Sequence, residues 1–382
     1  MRVPRIRVDG FNNNFEKKTF GEIVRSISTR MYIKSVVSDL GEYEVIQQGD
    51  TPILGYSNDQ PFEKYKSVIL FGDHTLSLYR PKAPFLLATD GIKILQSTIL
   101  KRDYLYYLTQ NYIPKSQGYK RHYSVLKQVF VNYSRDSSEQ SAIGSFFRTL
   151  DNLLTSYKDN LTNYQSLKAT MLSKMFPKAG QTVPEIRLDG FEGEWEKSKL
   201  KDVAHRVQGN DGRMDLPTLT ISASGGWMNQ IDRFSANIAG KEQKNYTLLK
   251  KGELSYNHGN SKLAKYGVVF ELKEYEEALV PKVYHSFRVN QLADAKFIEI
   301  MFSTKIPDRE LGKLVSSGAR MDGLLNISFD DFMNITIIIP TLEEQQAIGA
   351  YFSNLDKLIA AHQEKISQLE TLKKKLLQDM FI

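Results

Sequence analysis

The stretch Val3-Pro4-Arg5-Ile6-Arg7-Val8-Asp9-Gly10-Phe11 occurs a second time as Val183-Pro184-Glu185-Ile186-Arg187-Leu188-Asp189-Gly190-Phe191, with seven of nine positions identical at an offset of 180. The match continues, because Phe15-Glu16-Lys17 corresponds to Trp195-Glu196-Lys197. Self-similarity at a fixed offset indicates that one structural plan is used more than once. These two opening segments, 3–11 and 183–191, therefore predict two copies of one domain.

A second repeated motif closes each copy. Glu139-Gln140-Ser141-Ala142-Ile143-Gly144 corresponds to Glu344-Gln345-Gln346-Ala347-Ile348-Gly349 at an offset of 205. Between the opening segment and this motif, blocks 24–139 and 204–344 show little similarity, and the second copy is longer by 205 − 180 = 25 residues. A shared frame with different contents suits two related binding surfaces of different specificity, although an ordinary duplication that has drifted would leave the same pattern.

Each closing motif begins a long heptad pattern, in which apolar residues recur every seven positions over about five heptads. Asp136 and Thr341 are suitable N-caps, each followed three residues later by a glutamate. A helix of roughly 40 residues with one apolar stripe must pair. We expect the two helices to pair antiparallel; the alternative is that each covers its own domain. The predicted helix seam, which is also the candidate partner-binding set, is Ile143, Phe147, Leu150, Leu154, Ile348, Phe352, Leu355 and Ile359.

The variable blocks alternate strand-like and helix-like segments. Residues 67–74 and 252–260 both resemble a buried strand that runs into a polar loop, and residues 103–108 and 296–302 resemble short amphipathic helices. The sequence therefore predicts a mixed α/β fold, with two globular domains separated by a long antiparallel two-helix coiled coil. The expected segments are 1–135 for the first domain, 136–178 for its helix, 179–340 for the second domain and 341–382 for its helix.

Basic, glycine-containing loops follow the short amphipathic helices at 116–123 and 316–321, and a polar cluster follows the strand of the second copy. Arginine can grip guanine or a phosphate with two donors, and Asn or Gln can pair with adenine. A solvated turn with incidental charge is the alternative for any single loop. The predicted DNA-binding residues are His74, Gln117, Tyr119, Lys120, Arg121, His122, Asn257, His258, Asn260, Ser261, Lys262, Lys265 and Arg320.

Composition and motifs exclude many catalytic classes. The 382 residues carry a formal charge of +7 and no cysteine, which excludes thiolate nucleophiles and cysteine-ligated metals and suggests a reducing cytoplasm. We find no membrane-length apolar run, export signal, G-x-G cofactor loop, Walker A sequence or adjacent proline pair. Asp232 with Glu242-Gln243-Lys244 only loosely imitates a nuclease pattern. We therefore predict no catalytic residues, no metal site and no cofactor bound by this chain.

The repeated opening segments and closing motifs, together with two variable blocks, resemble the specificity (S) subunit of type I restriction–modification systems over essentially the full length. Segments 4–11, 139–144, 184–191 and 340–349 carry the resemblance. It implies a non-catalytic subunit with two target-recognition domains, each recognising one half of a split, asymmetric DNA site. The copies differ at Arg135-Asp136 against Pro340-Thr341, which affects the entrance to the first long helix.

The resemblance also implies partners. Two modification (M) subunits would dock on the long helices and methylate adenine N6 with S-adenosylmethionine, and restriction/motor (R) subunits would add cleavage that uses ATP and Mg²⁺. All three cofactors are expected on the partners. A competing hypothesis is a two-domain protein–protein scaffold, and a nuclease is a third. Exposed loops rich in Arg, Lys, Asn and Gln favour DNA, whereas a scaffold should present apolar or aromatic anchors.

Overall fold

The computed structural model describes residues 4–34, 36–118, 120–234, 240–259, 261–315 and 324–381. The chain divides into two compact units. Unit 1 comprises Met1–Leu161 and His362–Ile382, and unit 2 comprises Thr162–Ala361. Each unit thus contains one variable block, the first part of the long helix that follows it, and the last part of the other long helix. Among the described residues, no helix combines the length and apolarity that crossing a membrane requires.

Unit 1 contains nine strands, three short helices and the start of the first long helix, counted over its described residues. In chain order these are β1 (Glu16–Thr19), α1 (Phe20–Ile23), β2 (Arg25–Ile27), β3 (Tyr43–Ile46), β4 (Ile53–Ser57), β5 (Val68–Gly72), β6 (Leu78–Tyr79), β7 (Phe85–Leu87), β8 (Ile92–Gln96), α2 (Arg102–Tyr112), α3 (Tyr123–Leu126), β9 (Phe130–Tyr133) and α4 (Ser137–Lys174). The predicted strand at 67–74 and the predicted helix at 103–108 are confirmed as β5 and α2.

Unit 2 follows the same order of elements with additions. They are β10 (Glu196–Lys199), α5 (Leu200–Val203), β11 (Ala204–Arg206), β12 (Leu219–Ser222), β13 (Gly226–Asn229), α6 (Gln230–Phe234), β14 (Thr247–Lys250), β15 (Leu254–Asn257), β16 (Val268–Glu271), β17 (Glu277–Val280), β18 (His285–Val289), α7 (Ala295–Ser303), α8 (Asp308–Leu314), α9 (Phe329–Met333), β19 (Thr336–Ile339) and α10 (Leu342–Met380). The predicted strand at 252–260 and helix at 296–302 are β15 and α7.

The sheet orders show that the two variable blocks share one architecture. The main sheet of unit 1 has the order β2-β8-β5-β6, and that of unit 2 has the order β11-β18-β15-β16. Two-stranded antiparallel ribbons, β1-β9 and β10-β19, precede the long helices in equivalent places. The accessory sheets differ, because unit 1 has β4-β3-β7 where unit 2 has the pairs β12-β13 and β14-β17. The units thus share a frame and differ in what is attached to it.

Strand β5 shows why an uninterrupted apolar run folds as a strand here. Val68 and Leu70 belong to one core cluster of unit 1, while Ile69 and Phe71 belong to another. Because successive side chains of a strand point to opposite faces, both faces of β5 are buried and neither can be polar. This strand therefore lies at the centre of unit 1, with its carboxyl end leading to the surface.

The residues of the closing motif join the long helix to its domain identically in both units. Glu139 is fully buried and accepts two hydrogen bonds from Arg7 of the opening segment, at 2.6 and 2.9 Å, which raises the pKa of Arg7. Glu344 accepts the same pair of bonds from Arg187, at 2.8 and 2.6 Å. A buried carboxylate requires such a partner. The repeated Arg and Glu are therefore a structural pair.

The glutamine of the same motif fastens the neighbouring helix. Gln140 accepts a hydrogen bond from the backbone N–H of Lys101 and donates to two carbonyl oxygens, and Gln345 makes the equivalent bonds around Asp294. Gly144 lies against the start of α2, where a Cβ atom would be 3.0 Å from the Cβ of Asp103. The motif therefore needs glycine because the helix approaches another backbone closely.

Within each unit the two long helices run antiparallel. In unit 1, Asp151 of α4 pairs with Lys373 of α10, and Lys158 of α4 pairs with Glu370. Later residues of α4 therefore contact earlier residues of α10. In unit 2, Lys168 pairs with Asp356. The predicted N-cap Asp136 accepts hydrogen bonds from Ser138 and Glu139. The predicted mixed α/β fold with long antiparallel helices is confirmed, and the helices begin one residue after their predicted caps.

Candidate nucleic-acid interface

In unit 1 the predicted DNA-binding residues meet at the carboxyl end of β5. His74 lies just after this strand, and its backbone N–H donates to Gln48. Gln117, Lys120 and Arg121 lie on the loop between α2 and α3 and are exposed. Arg121 contacts Asp90 at 3.3 Å, with both side chains more than 60% exposed. Because an exposed ion pair contributes little to stability, this arginine is free to exchange its partner for a phosphate or a base.

His122 differs from its neighbours on this loop because it is fully buried. Its Nδ1 lies 3.0 Å from the carbonyl oxygen of Asp73, and its Nε2 accepts a hydrogen bond from the backbone N–H of Gln117 at 3.0 Å. The carboxylate of Asp73 accepts from the backbone N–H of Tyr123, and burial raises the pKa of that tyrosine. Both ring nitrogens therefore contact the protein, so His122 organises the loop rather than presenting a face to a ligand.

In unit 2 the equivalent place is the carboxyl end of β15. Ser261, Lys262 and Lys265 are exposed on the loop that follows this strand. Asn257 is half-buried, because its amide donates to the carbonyl oxygen of Ile221 and its side-chain oxygen accepts from the N–H of Gly259. The exposed lysines supply positive charge at a strand end, as Lys120 and Arg121 do in unit 1.

His258 is buried at the same strand end. Its Nδ1 lies 2.8 Å from the carbonyl oxygen of Leu325, and its Nε2 lies 2.9 Å from that of Val283. The ring stacks on His285 with centroids 4.7 Å apart, because the antiparallel register sets His285 opposite Tyr256, two residues before His258 on the same face. Burial lowers the pKa of His285 to about 4, and Arg206 and His258 add to this effect.

Three predicted site residues, Tyr119, Asn260 and Arg320, lie outside the described residues, as does the rest of the predicted loop at 316–321. The structure adds residues that the sequence analysis did not select. Lys93 of β8 lies 3.7 Å from Asp73 and donates to the carbonyl oxygen of Asp90, which brings a further cation to the site of unit 1. Arg206 of β11 lies over the Phe329 ring at 4.4 Å in unit 2. Only strand pairing, which no local pattern reveals, places Lys93 beside the loop of unit 1.

The predicted helix seam is buried in the unit cores. Ile143, Phe147, Leu150 and Leu154 belong to a cluster of unit 1, and Ile348, Phe352 and Leu355 belong to a cluster of unit 2, while Ile359 is half-buried. A second apolar set on the same helices is exposed. It comprises Phe146, Leu153 and Leu372 in unit 1, and Leu167, Leu358 and the half-buried Tyr351 in unit 2. These are matched positions of the repeat, since 146, 153 and 167 plus 205 give 351, 358 and 372.

No group of three or more His, Asp or Glu side chains in the described part of the chain is arranged to hold a metal ion. Glu242, from the sequence that loosely resembles a nuclease motif, instead accepts a hydrogen bond from its neighbour Asn245. The candidate interface thus consists of exposed cations and polar side chains at two strand ends, with buried histidines behind them.

Comparison with known proteins agrees with this architecture. Residues 192–371 match the family described as the type I restriction modification DNA specificity domain, which agrees with the family that the sequence motifs predicted. No curated protein matches the chain in sequence.

A solved structure shows the same fold. The S subunit of a type I restriction-modification system from M. genitalium aligns over 100% of this chain and 99% of its own, with a TM-score of 0.63 and 14% identity. The HsdS subunit from Thermoanaerobacter tengcongensis aligns over 96% and 95%, with a TM-score of 0.43 and 14% identity. A structure described for complex assembly and conformational transition of the type I R-M system aligns over 97% and 98%, with a TM-score of 0.47 and 13% identity.

Proposed function

We propose that this chain is the DNA-recognition subunit of a type I restriction–modification complex, and that each unit recognises one half of a split, asymmetric DNA site. The match of residues 192–371 to the type I restriction modification DNA specificity domain supports a role in DNA recognition. The observation that carries the bipartite proposal is that equivalent strand ends, after β5 and β15, present different polar and basic loops. A common frame ensures that both loops face a duplex in the same manner, and different loop residues give different base preferences.

Individual residues have distinct proposed roles. The exposed Arg121 and Gln117 offer the donors and acceptors that distinguish base edges, whereas Lys120, Lys262 and Lys265 suit phosphate contacts. His122 and His258 are buried and do not themselves touch DNA in this proposal. Tyr119, Asn260 and Arg320 remain predicted contacts on the basis of sequence.

We also propose that modification subunits dock on the exposed apolar set of the long helices, which consists of Phe146, Leu153, Leu372, Leu167, Leu358 and Tyr351. Each unit presents three of these residues at matched positions, as two copies of one partner would require. Leu153 and Leu372 lie within two residues of the Asp151–Lys373 ion pair, so they occupy neighbouring levels of the two helices. Aromatic and aliphatic anchors with a polar rim are typical of protein interfaces.

In this proposal the chain has no chemistry of its own and acts in the cytoplasm with modification and motor subunits. S-adenosylmethionine for adenine methylation, and ATP and Mg²⁺ for cleavage, are bound by those partners. The chain supplies the choice of site.

The test is long-read sequencing that detects methylated bases in the host genome, with and without the gene. We expect a split adenine-methylated motif that is lost with the gene. Exchange of block 15–135 for that of another family member should change one half of the motif and leave the other half unchanged. A motif that is unaffected by deletion contradicts the proposed function, and a change in both halves contradicts independent recognition.

A further inference from the structure

Each unit has a backbone hydrogen bond at an equivalent position beside the candidate interface. Asp73 and His258 are the first residues after β5 and β15, which occupy the same place in the main sheets. The carbonyl oxygen of Asp73 accepts from the backbone N–H of His122 at 2.8 Å, and the carbonyl oxygen of His258 accepts from the backbone N–H of Leu325 at 2.8 Å. His122 and Leu325 each precede the short helix and ribbon strand that lead into a long helix.

In each unit a histidine ring contacts the same pair of segments that this backbone hydrogen bond joins. The histidine belongs to the second segment in unit 1 and to the first segment in unit 2. In unit 1 the histidine is on the loop, and Nδ1 of His122 faces the carbonyl oxygen of Asp73 on the strand side. In unit 2 the histidine is the residue that follows the strand, and its Nδ1 faces the carbonyl oxygen of Leu325 on the opposite side of the junction. Both rings are at most 5% exposed. The sequence repeat does not align these histidines, so the tertiary structure alone shows their equivalence.

The second ring nitrogen differs between the units. Nε2 of His122 accepts from the N–H of Gln117, so this ring spans the exposed loop from one end to the other. Nε2 of His258 faces the carbonyl oxygen of Val283 in the turn between β17 and β18, and a bridge between Gly259 and Leu324 ties the neighbouring loop to the same point. His285 adds a contact from its Nε2 to the carbonyl oxygen of Ile327 at 2.9 Å.

We propose that His122 and His258 are positioning residues for DNA recognition, each acting as a latch that holds the exposed loop of its unit against the strand end. This inference rests on the proposed function, because it assigns the loops to DNA. His122 orders the loop that carries Gln117, Lys120 and Arg121. His258 holds the segment at 324–327, and through it the loop that carries Ser261, Lys262 and Lys265. Preorganised loops bind with a smaller ordering cost, which is how a buried residue affects affinity.

The geometry allows a matched test with side-chain amides. The amide nitrogen of Asn can occupy roughly the position of Nδ1, and the amide group of Gln can occupy roughly the position of Nε2. His258→Asn therefore keeps a donor toward the carbonyl oxygen of Leu325, whereas His258→Gln keeps a donor only toward that of Val283. His122→Asn keeps the bond to Asp73, and His122→Gln keeps the acceptor for Gln117. His205→Asn is the control, because His205 is an exposed histidine on β11.

Binding is measured with the full chain in complex with its modification subunits, on duplexes in which one half-site at a time is scrambled. We expect His258→Gln to bind about five- to tenfold more weakly than His258→Asn to the half-site of unit 2, the effect of one hydrogen bond. Recognition of the other half-site should be unchanged. His122→Ala should weaken the half-site of unit 1 by a similar factor, with partial rescue by Asn. Equal binding by the Asn and Gln variants of His258 would overturn the latch in unit 2.

Hydrogen exchange of the chain without DNA is an independent measurement. The latch predicts faster exchange at the amide of Leu325 in His258→Gln than in His258→Asn, and faster exchange at the amide of Gln117 in His122→Ala than in the wild type. If the wild-type complex does not discriminate half-sites, the proposed function is wrong. Hydrogen exchange at the amides of Leu325 and Gln117 still decides whether the histidines hold the loops. If the His258 variants do not fold, the His122 variants decide. Unaltered exchange in both units would contradict the proposal.

Discussion

Unit 1 and unit 2 use the same frame to present different loops. Arg7 with Glu139 and Arg187 with Glu344 make the same buried pairs, and Asp151–Lys373 and Lys168–Asp356 are the same interhelical pair in reversed roles. The loops that the frame carries share no sequence, and even the histidine at their junction changes sides. The shared elements, which are the opening segments, closing motifs and long helices, require particular residues because their buried polar groups need specific partners. The variable sheets require only apolar residues on their buried faces, so their sequences can differ.

The largest expected effect tests whether the frame pairs are equivalent. Glu139→Gln and Glu344→Gln each replace a buried carboxylate and leave an arginine with a weakened partner, at a cost of about 3–5 kcal/mol in the stability of that unit. Both tryptophans, Trp195 and Trp227, are in unit 2. Denaturant unfolding followed by tryptophan fluorescence should therefore shift strongly for Glu344→Gln. Circular dichroism should show the loss of stability in Glu139→Gln. A loss of stability in only one of the two variants would contradict the equivalence of the two Arg–Glu pairs.

The next effect tests whether the loops act separately. Arg121→Ala should weaken binding to the half-site of unit 1 by about 1–3 kcal/mol if the arginine contacts a base, and Arg320→Ala should do the same for the other half-site. Lys262→Ala is the matched variant of a phosphate contact, and should weaken binding to all sequences alike while it lowers the salt dependence. Titrations with each half-site scrambled separate these outcomes. If neither arginine variant alters binding, loops 116–123 and 316–321 are not the DNA-binding loops.

A smaller effect concerns His285, a largely buried histidine that is present in unit 2 only. The folded-state pKa of His285 is about 4, below its ordinary value of about 6.5, so the folded state favours the neutral ring. Its contribution is present above pH 6.5 and declines as pH falls toward 4, because the unfolded chain then binds a proton more readily. At pH 5.5 the loss is about 1 kcal/mol. Tryptophan-monitored unfolding should show it in the wild type but not in His285→Gln, and equal pH profiles would contradict this assignment.

The smallest effect concerns the two interhelical ion pairs. Lys373 and Asp151 are 15% and 22% exposed, whereas Lys168 and Asp356 are 32% and 44% exposed. Water screens the second pair more, so Lys168→Met should cost under about 1 kcal/mol, and Lys373→Met should cost somewhat more. Thermal unfolding of the two variants side by side measures the difference. A larger loss from Lys168→Met would show that exposure does not rank these pairs.

Much of the frame was predictable because its information is local. A heptad pattern with a cap identifies a long helix, as in Ser137–Lys174, and a repeated motif identifies matched helix starts whatever their partners are. The buried bond between Arg7 and Glu139 was not predictable, since 132 residues separate them, although the repetition of both residues was a signal that they are needed.

The sequence by itself determined that the chain is built twice on one plan, that two long helices follow variable α/β blocks, and that basic loops accompany both. Only the tertiary structure decided that the dissimilar blocks share one sheet order, that Lys93 lies beside the loop of unit 1, and that His122 and His258 are buried. The physical reason is that strand pairing and burial depend on residues far apart in the chain. A histidine on a polar loop has the same local sequence whether its ring faces solvent or two backbone partners.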